Sequence, residues 1–301
     1  MSRLRVAVLG TAHVHLPEHL AVLTGDEETE LAGVHDPGSP DGPSVAEILS
    51  GADAVLVGAT NAERPGLVRE ALARGLPTLA EKPLAGTAAE VTELAALIGR
   101  GPAPVTTAMF LRCVPALRRV RRLIADGALG TLFSAHTRFT HPGLLDGWFT
   151  GRTGWLAEPE AGGGFADLGI HLFDLLRWLR PGAGLDVAGV RLRRSGIHHA
   201  DVGGVALLDW DGIPTTVHSG WISRPGGFLL RLEGSRGSCT VDGGTLTVHK
   251  GSKVVSHGAA PAAGAAVSAF LGQVRGRASW DAPTPADLVA CAKLLDTVVP
   301  A

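Results

Sequence analysis

Lysine is scarce in this 301-residue chain, occurring only at positions 82, 250, 253 and 293, and one of the four sits in the tripeptide Glu81-Lys82-Pro83. Against that scarcity a lysine inside a motif stands out. A second group lies in Gly162-Gly163-Gly164-Phe165-Ala166-Asp167-Leu168-Gly169-Ile170-His171-Leu172-Phe173-Asp174. Residues four apart on a helix share a face, so Asp167 and His171 project together, with Asp174 three further along. A carboxylate beside an imidazole fixes its orientation and raises its basicity, which suits general acid–base work. The three glycines would let the backbone pass close to a ligand. A helix N-terminus with capping acids and a satisfied histidine accounts for the same residues, so both readings stand at this level.

A third group is the turn Gly10-Thr11-Ala12-His13-Val14-His15, which follows the apolar run Arg5–Gly10. Small residues between a strand and a helix let a backbone approach a pyrophosphate at the helix N-terminus. Gly10 and Ala12 fill the first two small positions, and His15 stands where a third glycine is usual; an ordinary strand-to-helix turn would also look like this. His13 and His15 make two metal ligands without a third, so no metal is expected. Asp36 lies 26 residues beyond Gly10. An acid there accepts hydrogen bonds from ribose hydroxyls and repels a 2′-phosphate, which favours NAD over NADP. Asp-Pro-Gly is equally a plain turn.

The elements that would position these residues follow from the apolar pattern. Short apolar runs at 5–10, 30–36, 52–60 and 77–83 alternate with helical segments at 16–23, 65–74 and 88–98, and Gly75 stops the second of these helices. Strand–helix alternation at this spacing predicts βαβ units and a parallel sheet. Beyond a basic helix at 115–125 the pattern changes to alternating strands at 131–139, 186–195, 203–212, 214–222 and 227–235, then a hairpin at 237–251. These predict a largely antiparallel sheet with one covered face, interrupted by a helix at 165–179 and closed by one at 285–298. The reading is an α/β dinucleotide-binding Rossmann domain over 1–112, then an α+β domain with an open sheet over 113–301, for substrate binding and self-association.

Composition narrows the classes. Net charge is −2, without a basic stripe interleaved with aromatics, so nucleic acid is not expected as a partner. Cys113, Cys239 and Cys291 have no paired spacing and read as thiols in a reducing compartment. The five-residue apolar run before Gly10 is too short for a signal peptide, and the Ala-rich stretch at 258–272 is too weakly apolar to span a bilayer. The expectation is a cytoplasmic protein with no membrane partner.

Several of these motifs together resemble the glucose–fructose oxidoreductase, inositol dehydrogenase and rhizopine-catabolism (Gfo/Idh/MocA) family. GLPTLAEKPLA at 75–85, RCVPALRRVRRLIADGALG at 112–130, GGGFADLGIHLFD at 162–174 and LEGSRGSCTVDG at 232–243 occur in the family's order, and the resemblance as a whole extends over nearly the entire chain. The resemblance implies an NAD(P)-dependent dehydrogenase acting on a hydroxyl carbon of a sugar, polyol or related small molecule. It implies Lys82 as the lysine at the reacting hydroxyl, His171 as acid/base, Asp167 as its partner and Asp174 as a further substrate-facing position. Glu81 and Pro83 would shape the lysine loop, with a Lys–Pro peptide often cis in relatives. Gly10, Thr11, Ala12, His13, Asp36, Thr60, Asn61, Glu81 and Lys82 would line the cofactor. A homodimer or homotetramer through the open sheet face is expected.

The family's Pro-Asn-x-x-His segment here reads Thr60-Asn61-Ala62-Glu63-Arg64, changed at both ends. Two alternatives remain: a dinucleotide sensor without turnover, and an NAD-dependent glycosidase that cycles hydride internally. His198-His199 would point to opposite sides of a strand and so would not share a site. Trp148 to Trp155 either cover a sugar or anchor their own loop. The arginines between Arg112 and Arg122 read as a solvated helix face.

Overall fold

A computed structural model describes residues 2–39, 41–195, 200–249, 260–277 and 280–299. The chain forms two compact units. One comprises residues 1–109, 149–155 and 263–292; the other comprises 110–148, 156–262 and 293–301.

The first unit alternates strand and helix: β1 (Leu4–Leu9), α1 (Leu16–Gly25), β2 (Thr29–His35), α2 (Val45–Leu49), β3 (Ala54–Val57), α3 (Arg64–Ala73), β4 (Thr78–Ala80), α4 (Ala88–Ile98) and β5 (Val105–Thr107). All strand pairs are parallel, in the order β2-β1-β3-β4-β5. The central strands read as unbroken apolar runs because both faces are covered: Ala7, Leu9, Val55, Val57 and Ala80 are buried against Val68 of α3 and Val91 and Leu94 of α4. Gly75, at φ +65°, ends α3, and the Leu76 N–H reaches back to the Ala71 carbonyl at 3.2 Å. The short α2 begins with a reciprocal Ser44–Glu47 capping box. Neither α2 nor β5 was evident from periodicity, since each is under six residues.

The structure differs from a single division at 112/113. The chain first leaves the Rossmann unit after Met109, and two later segments return to it. Residues 263–292 do so through side-chain bonds. Arg275 of α7 (Gly264–Val274, with Arg275 its C-cap) donates to Asp26 and Thr29 at 2.6 Å each, and Leu288 of α8 (Pro285–Val298) joins the buried cluster. The Ala-rich stretch at 258–272 thus overlaps α7 from Gly264 onward. No helix among the described residues is long and apolar enough to cross a membrane.

The second unit contains α5 (Pro115–Ala125), β6 (Leu132–Thr140), α6 (Gly163–Leu179), β7 (Asp186–Arg194), β8 (Asp201–Asp209), β9 (Pro214–Gly220), β10 (Gly227–Gly234), β11 (Gly237–Asp242) and β12 (Thr245–His249). Its sheet runs β12-β11-β10-β6-β9-β8-β7, antiparallel throughout except for the β6–β9 pair. α6 is buried along almost its whole length. The opposite face keeps Val205 and Leu207 of β8 exposed. Residues 198 and 199 lie outside the described residues, so the histidine pair is not placed.

Candidate active site

The dinucleotide-type residues gather where the strand order of the first sheet reverses, between the ends of β1 and β3. In doubly wound sheets that is where ligands bind. Gly10 turns the chain at φ +84°, and a Cβ on it would stand 2.5 Å from the Ala59 Cβ. Glycine is needed there because the turn after β1 presses against the turn after β3. The Gly10 N–H donates to the His35 carbonyl at 2.7 Å and the His13 N–H to the Gly58 carbonyl at 3.0 Å, which locks three strand ends together. Thr11 and Ala12 follow, ahead of α1, whose first turn carries Pro17. Small residues before a helix N-terminus fit an anionic pyrophosphate. His15, in place of the third glycine, is accommodated as the N-cap of α1.

Asp36 follows β2 and accepts from the Gly38 N–H at 3.2 Å. Its other carboxylate oxygen meets the guanidinium of Arg152, which also donates to the Thr11 hydroxyl. Burial works to raise the Asp36 carboxyl, but hydrogen bonds from Arg152, Gly38 and Thr11 outweigh it and hold the group below its ordinary range. Three residues on, the Trp155 indole N–H donates to the Ala12 carbonyl at 2.9 Å. His141 stacks on Trp148 with ring centroids 4.8 Å apart, so the aromatics of this stretch anchor it.

Lys82 and Glu81 end the β4 segment, both almost wholly buried, and the Lys82–Pro83 peptide is cis. One Glu81 carboxylate oxygen accepts from the Lys82 backbone N–H at 3.1 Å. The other lies 3.2 Å from His19 Nε2 and 3.4 Å from His13 Nδ1. Desolvation holds both imidazoles below their ordinary range. For His13 the charges of His15, Lys82 and Arg64 add to it; for His19 the Glu81 carboxylate opposes it. Both rings are therefore neutral near pH 7, and these approaches to Glu81 are not ion pairs.

Thr60 and Asn61 turn inward to their own loop. The Thr60 hydroxyl donates to Glu63 at 2.8 Å and accepts from the Glu63 N–H at 3.3 Å. The Asn61 side-chain oxygen accepts from Arg64 at 2.9 Å. Arg64 is fully buried and also donates to the carbonyls of Ala59, at 2.6 Å, and Pro83. The departure at position 64 thus puts a guanidinium between the loop after β3 and the Lys82–Pro83 segment, and burial lowers its pKa to about 10.

In the second unit, Asp167 and His171 lie one turn apart on α6. Asp167 accepts from the Trp221 indole N–H at 2.8 Å. The His171 ring is buried 4.7 Å from Phe110 and 5.9 Å from Phe139, centroid to centroid. Asp174 is placed differently from a substrate-facing carboxylate. Both of its oxygens receive the buried Arg112 guanidinium, at 2.8 and 2.6 Å, because a carboxylate this far from water needs a neutralising partner. Arg112 likewise departs from the solvated face expected for 112–122, whereas Arg118, Arg119 and Arg122 are exposed. The glycines that open α6 pack closely within the protein. A Cβ at Gly164 would stand 2.6 Å from the Val202 carbonyl carbon, and Asp201 accepts from the Phe165 N–H at 2.8 Å.

Sequence reasoning missed His19, Arg112 as a pair partner, Arg152 and Trp221. Arg152 and Trp221 carry no local signal, since their partners lie 141 and 54 residues away. Among the described residues, no group of three or more histidines, cysteines and acids is arranged to hold a metal ion.

Residues 4–107 match the model of an oxidoreductase family with an NAD-binding Rossmann fold, and residues 117–240 match the GFO/IDH/MocA C-terminal domain. The rhizopine catabolism protein MocA of Rhizobium meliloti is 28% identical over 199 residues, covering 60% of this chain and 58% of that protein. The match to D-apiose dehydrogenase of Paraburkholderia graminis, 29% identical, covers 57% of this chain and 44% of that enzyme, so the chain spans less than two thirds of either relative. An inositol dehydrogenase homolog from Azotobacter vinelandii, complexed with NAD+, superposes with a TM-score of 0.83 over 99% of this chain and 95% of that one at 18% identity, which speaks for the fold. With both halves matched in order, the chain belongs to the GFO/IDH/MocA oxidoreductase family, and its first unit is the family's NAD-binding Rossmann fold.

Proposed function

We propose that the chain is an NAD(P)-dependent dehydrogenase that moves hydride between a nicotinamide and a hydroxyl-bearing carbon of a sugar, polyol or related small molecule. The observation that carries this reading is the retained pair on α6. Asp167 and His171 are one turn apart, with Asp167 braced by Trp221 and His171 set among Phe110 and Phe139. The bound nicotinamide would supply the hydride acceptor or donor. His171 takes the hydroxyl proton, and its aromatic surroundings keep bulk water from the ring. Lys82 offers its ammonium to the oxygen as negative charge grows there. Asp167 orients the histidine. The backbone of Gly10–Ala12 receives the pyrophosphate and Asp36 the adenosine ribose, with His13, Thr60, Asn61 and Glu81 supporting these contacts. Asp174, engaged by Arg112, acts through the position of α6.

Related proteins support the substrate class: D-apiose dehydrogenase of Paraburkholderia graminis, and an inositol dehydrogenase homolog seen with NADH and myo-inositol. The exposed apolar residues Val205 and Leu207 of β8 support self-association through the open sheet face as a dimer or tetramer. The reading is tested by titrating the protein with NADH and NADPH, following tryptophan quenching, and then screening sugars and polyols for NADH formation. Nucleotide binding with turnover on one such alcohol is expected. Binding of neither nucleotide would sink the reading.

A further inference from the structure

We infer that Arg152 sets the cofactor selectivity of the pocket, so that it takes a dinucleotide bearing a 2′-phosphate about as readily as one without it. The inference rests on the dehydrogenase reading above and adds a residue to it. An acid at the end of the second strand of such a fold excludes NADP because its charge repels the 2′-phosphate. Asp36 is that acid, but it does not stand alone. Arg152, 116 residues away in sequence yet folded with the first unit, lays its guanidinium on the Asp36 carboxylate and on the Thr11 hydroxyl together.

Two consequences follow. The carboxylate and guanidinium sum to no net charge, so the repulsion that Asp36 would exert is offset at close range. The Arg152 side chain is also 62% exposed, whereas that of Asp36 is 18% exposed, and Asp36 and Thr11 are both met through one guanidinium nitrogen, so Arg152 has donors left for a phosphate. An arginine's planar fork matches the geometry of a phosphate monoester, which a neutral ribose hydroxyl does not exploit.

The segment that carries Arg152 is held in register with the pocket by an independent bond, from the Trp155 indole N–H to the Ala12 carbonyl at 2.9 Å. The arginine is therefore presented to the ribose end of the turn by a tethered stretch of chain. Both tethers land on residues that the dinucleotide motif reserves for the cofactor: Thr11 and Ala12 in the turn, Asp36 after β2. The local sequence around Asp36 contains no lysine or arginine between Leu31 and Arg64, so a permanent counter-charge comes from elsewhere in the chain.

The test is a pair of equilibrium titrations on the full chain, with NADH and NADPH as probes and the tryptophan fluorescence as readout, in wild type, Arg152→Gln, Arg152→Lys and Asp36→Asn. Wild type is expected to bind the two nucleotides within about tenfold of each other. Arg152→Gln raises the ratio of the NADPH to the NADH dissociation constant by about tenfold or more, and Arg152→Lys recovers part of that. Asp36→Asn lowers the ratio. Since Arg152 is exposed, melting temperatures of its variants should match wild type, which separates lost selectivity from lost fold. An unchanged ratio in Arg152→Gln, or a wild type binding NADPH more than about a hundredfold weaker than NADH, overturns the inference while leaving the dehydrogenase reading in place. Failure of wild type to bind either nucleotide removes both.

Discussion

The two units bury charge in opposite ways. In the second, Arg112 and Asp174 form a two-pronged pair, at 2.8 and 2.6 Å, with both side chains almost fully buried. In the first, the buried Glu81 carboxylate faces two neutral imidazoles, while the buried Arg64 spends its donors on the carbonyls of Ala59 and Pro83 and on Asn61 rather than on an acid. The Arg112–Asp174 pair is closed, each charge meeting its opposite. The Glu81 cluster holds imidazoles that gain protons only as pH falls. A closed pair fixes the 310-helical turn ahead of α5, which carries Arg112, against the middle of α6. An open cluster beneath the Lys82 loop leaves that region responsive to its surroundings.

The comparison can be broken or sharpened by substitution, beginning with the chemistry itself. Replacing His171 by Asn or Lys82 by Met should lower turnover on the true substrate by about 10²–10⁴-fold, with nucleotide affinity nearly retained. Steady-state rates set beside fluorescence titrations would show it, and wild-type rates in either variant would refute the assigned roles. Next, Arg112→Ala or Asp174→Ala should each cost about 3–5 kcal/mol of stability by stranding the partner charge. The double replacement Arg112→Met with Asp174→Leu should recover most of that in chemical denaturation. If each single variant cost under about 1 kcal/mol, the closed-pair description would fail.

Arg64→Leu should cost about 2 kcal/mol, since it leaves two backbone carbonyls and the Asn61 side chain without this donor. It should also lower turnover more than it weakens nucleotide binding, because the Lys82–Pro83 segment loses a brace. Equal losses in both would instead mark a general structural role.

The smallest effect is the pH response. His13 and His19 have folded pKa values below their ordinary 6.5, so the unfolded chain binds more protons as pH falls. Stability is therefore full above about pH 6.5 and declines below it, by at most about 1.4 kcal/mol per pH unit for each histidine. Thermal melts between about pH 7.5 and 5.5 would show the decline, and His19→Gln should flatten part of it. Melting temperatures that rise on acidification would contradict the neutral assignment.

Much of the local geometry around the candidate residues was legible because its signals are local. Gly10 is needed where two turns touch, Lys82 stands before a proline, and Asp167 and His171 keep helical spacing, all readable from neighbours in sequence. The same locality gave α4, α5 and α8 their limits, since amphipathic spacing, an N-terminal proline or threonine and a closing turn lie within the segment. The short α2 and β5 escaped because fewer than two turns or two pleats carry too little period to read.

The features that sequence alone determined are thus those that depend on chain neighbours: the parallel Rossmann strands, the largely antiparallel open sheet, the one-turn spacing of Asp167 and His171 on α6, and the Glu81-Lys82-Pro83 loop. Tertiary structure alone decided who pairs with whom across distance. It gave Asp174 to Arg112, Asp167 to Trp221, the Lys82–Pro83 segment to Arg64, and Asp36 to Arg152. The physical reason is that a buried or half-buried charge takes whichever complementary group the fold brings within about 3 Å, and that proximity is set by packing.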